Sequence, residues 1–193
     1  MFPENLYKKL LHMEDIEKDE INISLEFYKR RLKSFLSNIY NYKYTDICHI
    51  DCINNLIKYR KLYLYSHNKI SLINLDLRDV INILKNMVYL LKKYDNYNIV
   101  FISQNSNISD FIVYCMLKER NAVIMETYEY SNDIPIVRMS IKEPMLVKAF
   151  EVYFNEVLDH IAPMNKDKNE IINWIEHQIN LLEKQHQECI IFS

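Results

Sequence analysis

Glycine is absent from all 193 residues. At an average frequency of about 7%, roughly a dozen would be expected. The absence excludes several chemistries at once. The Walker A loop, the dinucleotide-binding fingerprint and the G-x-S-x-G nucleophile elbow all need glycine. Turns with φ > 0 must use another residue, and asparagine tolerates that region best. Asn41, Asn96, Asn121 and Asn132 are the expected substitutes. An excess of either charge is also missing, since 24 basic residues face 26 acidic ones for a formal charge of −2. No global field therefore attracts nucleic acid. No run of 18 apolar residues occurs, so no segment reads as a membrane span. The N-terminus MFPENLYKKLLHMEDIEKDE is too charged for a secretory leader. A cytoplasmic protein with its four cysteines as free thiols is the expectation.

What is present is the composition of a packed domain, 49% hydrophobic and 26% charged. That suffices for one core with a small satellite. Asn, Ile, Lys and Tyr are plentiful, as in an AT-rich bacterial genome. Residues 1–70 read as a helical N-terminal region. Pro3 suits a first helical turn ahead of Leu6, Leu10 and Met13. Ser24 reads as the N-cap of a helix bearing Leu25, Tyr28, Leu32, Phe35, Leu36 and Ile39. Lys29, Arg30, Arg31 and Lys33 form its solvated face. A further helix is expected over residues 46–65 from Ile53, Leu56, Ile57, Arg60 and Leu64, although LYLY would also suit a strand.

Residues 71–193 read as an α+β unit, packed with the N-terminal region into one body. Asp76 is the expected N-cap of a helix with Asp79 in its first turn and Lys92 and Lys93 in its last. Apolar residues on more than one face of that helix predict burial on two sides. The period then changes to that of strands in residues 98–103, 111–117, 122–128 and 134–140. These predict an antiparallel meander of three to four strands covered by long helices. Pro144 fits the first position of a covering helix with Val147, Phe150, Phe154, Val157, Leu158 and Ile161 on one stripe. Pro163 stops that helix, and Asp167 with Glu170 opens the last one, which carries Ile171, Trp174, Ile175, Gln178 and Leu182.

Catalytic patterns are weak throughout. Cys48 and Cys52 enclose His49, but a zinc site needs two further ligands that no second pair supplies. Cys115 and Cys189 stand apart from them. The carboxylate pairs Glu126 with Glu129 and Asp76 with Asp79 have commonplace spacings that fit structural or solvated roles. SHNKISLINLD holds His67 and Lys69 in part of the H-x-K-x4-D pattern of phospholipase D-type enzymes. Asn74 stands where the aspartate belongs, with Asp76 two further on, and the motif occurs once where two copies build a site. No cofactor is expected. Among the 15 tyrosines, Tyr97, Tyr114, Tyr128 and Tyr130 fall in or near strands, where an apolar body with a polar tip suits a pocket. Glu126 and Arg138 could face each other across the sheet. Tyr97, Tyr114, Glu126 and Arg138 are therefore the candidate ligand-binding residues.

Two further patterns carry a resemblance. A helix ends in K-Y-x-N-Y (Lys93, Tyr94, Asn96, Tyr97), and another begins E-P-x-[IVL]-V-x-A-F (Glu143, Pro144, Val147, Ala149, Phe150). With the strands between them, residues 75–180 resemble the C-terminal sensor domain of helix-turn-helix transcriptional regulators from low-GC Gram-positive bacteria. The resemblance implies half of a phospholipase D-like sheet without catalytic residues, serving to sense a signal or to dimerise. The chain departs from the pattern at its hairpin, where Glu119-Arg120-Asn121 replaces the usual glycine turn. A DNA-binding domain would have to precede residue 20, and no room remains for its helices, so direct DNA binding is not expected of this chain. It is either the sensor part of a regulator or a stand-alone relative that binds proteins. The leading expectation is a non-enzymatic regulatory protein that takes a small-molecule or peptide effector and forms a homodimer. The alternatives are a protein-interaction factor, such as an antirepressor, inhibitor or immunity-type protein, and a phosphodiesterase-like hydrolase using His67 and Lys69.

Overall fold

The computed structural model describes residues 18–66, 69–102, 113–118, 122–127 and 138–191, in which helices and strands are mixed. Helix α1 (Lys18–Asn41) turns Phe35, Leu36 and Ile39 toward the main core. Ser24 lies inside α1 and does not cap it. The stripe around Pro3, and the turn candidates Asn121 and Asn132, lie outside the described residues.

The single helix expected over residues 46–65 is instead three elements. Strand β1 (Tyr44–His49) leads into helix α2 (Ile50–Tyr59), and strand β2 (Lys61–Ser66) follows. The physical reason is distant pairing. β1 lies parallel to β4 (Tyr97–Ile102), with Tyr44 opposite Tyr97 and His49 opposite Ile102. A parallel ladder depends on a partner far along the chain, which local spacing does not reveal. β2 pairs antiparallel with β3 (Lys69–Asn74), as the LYLY run allows.

Between α2 and β2 stands Arg60, in the left-handed region at φ 52° and ψ 42°. Its N–H donates to the Leu56 carbonyl at 3.0 Å, and its own carbonyl accepts from Leu75 N–H at 2.7 Å. Arg60 is the one residue with positive φ among those described. Asn41, which ends α1, and Asn96, in the turn before β4, do not use that region. Asn96 serves by hydrogen bonding: its carbonyl accepts from Tyr44 N–H at 2.8 Å, and its Nδ2 donates to the Tyr40 carbonyl at 3.0 Å.

Helix α3 (Leu77–Lys93) begins at a reciprocal capping box. Asp76 Oδ1 accepts from Asp79 N–H at 2.8 Å, and Asp79 Oδ2 accepts from Asp76 N–H at 3.0 Å. The carboxylate pair of the sequence is thus a helix start. Val80, Ile81, Ile83, Leu84, Val88, Leu90 and Leu91 are all buried, so α3 is covered on more than one face. Its long partner is the last helix, α5 (Lys168–Ile191). Lys85 Nζ to Glu183 and Lys92 Nζ to Glu176, both at 2.6 Å, fix the two as antiparallel.

β4 does not begin the meander. β5 (Val113–Lys118), β6 (Ala122–Thr127) and β7 (Arg138–Ile141) form a separate antiparallel sheet. Helix α4 (Pro144–His160) starts at Pro144 and touches both β5 and β6. Glu143 Oε2 caps it by accepting from Leu146 N–H at 2.7 Å. A short 3-10 turn (Pro163–Asn165) then leads to α5, where Asp167 Oδ1 accepts from Asn169 N–H at 2.8 Å and Glu170 N–H at 3.0 Å.

The parallel pair packs against an apolar cluster on each face. Tyr97, Ile99 and Phe101, with Tyr44 and Cys48, join the core that holds α1, α3 and α5. Val100, Ile47 and Ile102 meet Val157 and Leu158 of α4 and Ile161 just past its end. The two-residue period of a strand produces this division.

Candidate functional site

Tyr97 opens β4 at 3% exposure, and its hydroxyl donates to Asp46 Oδ2 at 2.8 Å. Asp46 stands on β1 between Tyr44 and Cys48, on the strand face turned to the main core. Phe35 of α1 packs edge-on against both Tyr44 and Tyr97, with ring centroids 5.4 Å apart in each case. The buried phenol, packed by aromatic rings, thus shares one hydrogen bond with a half-buried carboxyl. Burial raises the Asp46 carboxyl above its ordinary value, and the Tyr97 bond offsets part of that rise. The Tyr97 phenol is raised by burial and then by the Asp46 charge. The Cys48 thiol is pushed up to about 12, by burial first and by Asp46 second, so it stays protonated and unreactive at neutral pH.

His49 ends β1, and Asp51 and Cys52 follow in the first turn of α2. His49 caps α2, its Nδ1 accepting from Asp51 N–H at 3.3 Å. The same nitrogen lies 3.3 Å from Asp51 Oδ2. An Nδ1 that accepts cannot also donate, so the capping bond leaves Asp51 Oδ2 a buried oxygen with no hydrogen-bond partner. Burial also raises the Cys52 thiol. Among the described residues no three His, Cys, Asp or Glu side chains converge to hold a metal ion; His49 caps α2, and Cys48 packs against the main core.

Three of the four candidate ligand residues come together by register. Tyr114 on β5 stands opposite Glu126 on β6, and Glu126 stands opposite Arg138 on β7. They occupy one rung across the three-stranded sheet. Tyr97 belongs to the β1–β4 sheet and donates its hydroxyl to Asp46. Lys69 and Asn74 stand at opposite ends of β3. His67, Tyr128, Tyr130 and Glu129 lie outside the described residues. Asp46 is the half-buried partner of Tyr97 that spacing alone overlooked, because residues 46–65 fit a helix. No alternation marks this strand, since Tyr44, Asp46 and Cys48 on one face and Thr45, Ile47 and His49 on the other each mix polar with apolar residues.

Comparison with models of protein families, with curated proteins and with solved structures returned no match. Among the described residues no helix is long and apolar enough to cross a membrane.

Proposed function

We infer that this chain is a non-enzymatic regulatory module that binds a small-molecule or peptide effector and acts as a homodimer, in keeping with the sensor-domain resemblance. The observation that carries the reading is the rung Tyr114–Glu126–Arg138. A phenol, a carboxylate and a guanidinium at adjacent backbone positions suit a ligand bearing both charges, such as an amino acid or a short peptide. An effector bound beside the sheet would favour one arrangement of the dimer over another by its differential affinity. The fourth candidate, Tyr97, donates its hydroxyl to Asp46.

A thermal-shift screen with amino acids and short peptides tests the reading. At a ligand concentration about 100 times Kd, binding adds about 2.7 kcal/mol to stability, a shift of several degrees. Arg138→Ala and Glu126→Ala should each abolish the shift while leaving the unliganded melting curve in place. A screen without any shift would sink the effector reading in favour of a protein-interaction factor. A shift indifferent to both variants would place the site elsewhere.

A further inference from the structure

Helix α4 carries two adjoining apolar stripes. One buries Val147 and Val157, with Ile161 just past the helix end. The other carries Met145, Leu146, Val152 and Tyr153, which are 80%, 50%, 45% and 43% exposed, with Ala149 exposed among them. Positions 145, 149, 152 and 153 follow the i, i+4, i+7, i+8 spacing of a single helical stripe. Isolated exposed apolar residues are ordinary, but a contiguous stripe marks an interface. Beyond Tyr153 the exposed residues are Asn155, Glu156, Asp159 and His160, so the stripe occupies only the first half of the helix. Lys148 pairs with Glu151 at 2.8 Å within α4, on the flank of the stripe.

The pattern is complementary to itself. An antiparallel copy of α4 crossing at Ala149 sets Met145 opposite Tyr153 and Leu146 opposite Val152. Alanine meets alanine at the crossing, where small side chains let two helices approach. Lys142, exposed just before the helix, falls opposite Glu156 on each side of the crossing. Apolar thus meets apolar and cation meets anion under one two-fold operation, the requirement for an isologous interface. We propose that the exposed α4 stripe is the contact between two copies of this chain, antiparallel and crossing at Ala149. This rests on the homodimer of the regulatory reading and supplies its surface. The stripe is confined to half of one helix, so the contact belongs with the small, weak interfaces rather than the large obligate ones.

Sedimentation equilibrium of the full chain over about 1 to 500 µM tests it. The expected result is a monomer–dimer equilibrium that Val152→Lys weakens at least about tenfold. Lys142→Glu and Glu156→Lys should each weaken it alone, and an equimolar mixture of those two variants should restore the dimer as a heterodimer. The mixture keeps the test valid if Val152→Lys fails to fold, because both charged residues are exposed. A monomer at every concentration, or a dimer indifferent to all three substitutions, would overturn the interface. Effector binding is measured separately through Arg138, so a failed ligand screen with an intact dimer condemns the effector site alone.

Discussion

The Asp46 carboxyl meets the hydroxyl of Tyr97, whose ring packs against Phe35. Burying a carboxylate there costs free energy that one neutral hydrogen bond only partly returns. Its raised pKa has a definite sign for stability. The folded state holds the Asp46 proton more tightly than the unfolded chain does. Its contribution is therefore fully present below the unfolded value and is lost as pH rises through the folded one. Asp46→Asn keeps an acceptor for Tyr97 but cannot ionise. Urea midpoints measured from about pH 4 to about pH 7 should fall less steeply in the variant than in the wild type. Parallel slopes would show that the carboxyl is solvated in the folded protein.

Arg60 raises an element-scale question, because a bulky residue occupies the position that joins α2 to β2. Left-handed backbone costs an L-residue with a Cβ about 1–2 kcal/mol. A glycine there avoids the clash, although it gives the unfolded chain more freedom to lose. Arg60→Gly should therefore stabilise the protein by about 0.5–1 kcal/mol, read as a raised urea midpoint with an unchanged slope. A loss of stability would mean that the Arg60 side chain contributes contacts worth more than the strain. The helix starts follow ordinary chemistry by comparison. Asp76, Glu143 and Asp167 each accept from the backbone of the first turn, and all three helices begin where spacing predicts.

Across the whole molecule, the parallel β1–β4 pair joins two apolar clusters, one on each face. Leu84 is fully buried in the larger cluster, and Trp174, the single tryptophan, packs edge-on against Phe101 with centroids 5.5 Å apart. Leu84→Ala should cost about 2–5 kcal/mol through lost burial and the cavity left behind. In both proteins, Trp174 fluorescence and far-UV circular dichroism should report one coincident unfolding transition. Separate transitions would show that the regions around the two clusters unfold independently.

Much of the architecture was legible because its causes are local. A capping box at Asp76 and Asp79, a proline at the first position of α4 and a helical apolar stripe depend on residues within a few turns of one another. The change of period after Lys93 announced strands for the same reason. β1 was not legible, since Tyr44–His49 is a strand by virtue of β4, and residues 50–59 beside it do form a helix. The error carried over to Asp46, whose place beside Tyr97 depends on that pairing. The glycine-free composition determined by itself that no phosphate loop or nucleophile elbow could form. Only tertiary structure decided that Tyr97 faces the half-buried Asp46 carboxyl while Tyr114, Glu126 and Arg138 share a rung. Spacing along a chain sets which residues can lie on one face, but strand register, set by distant hydrogen bonds, chooses their neighbours.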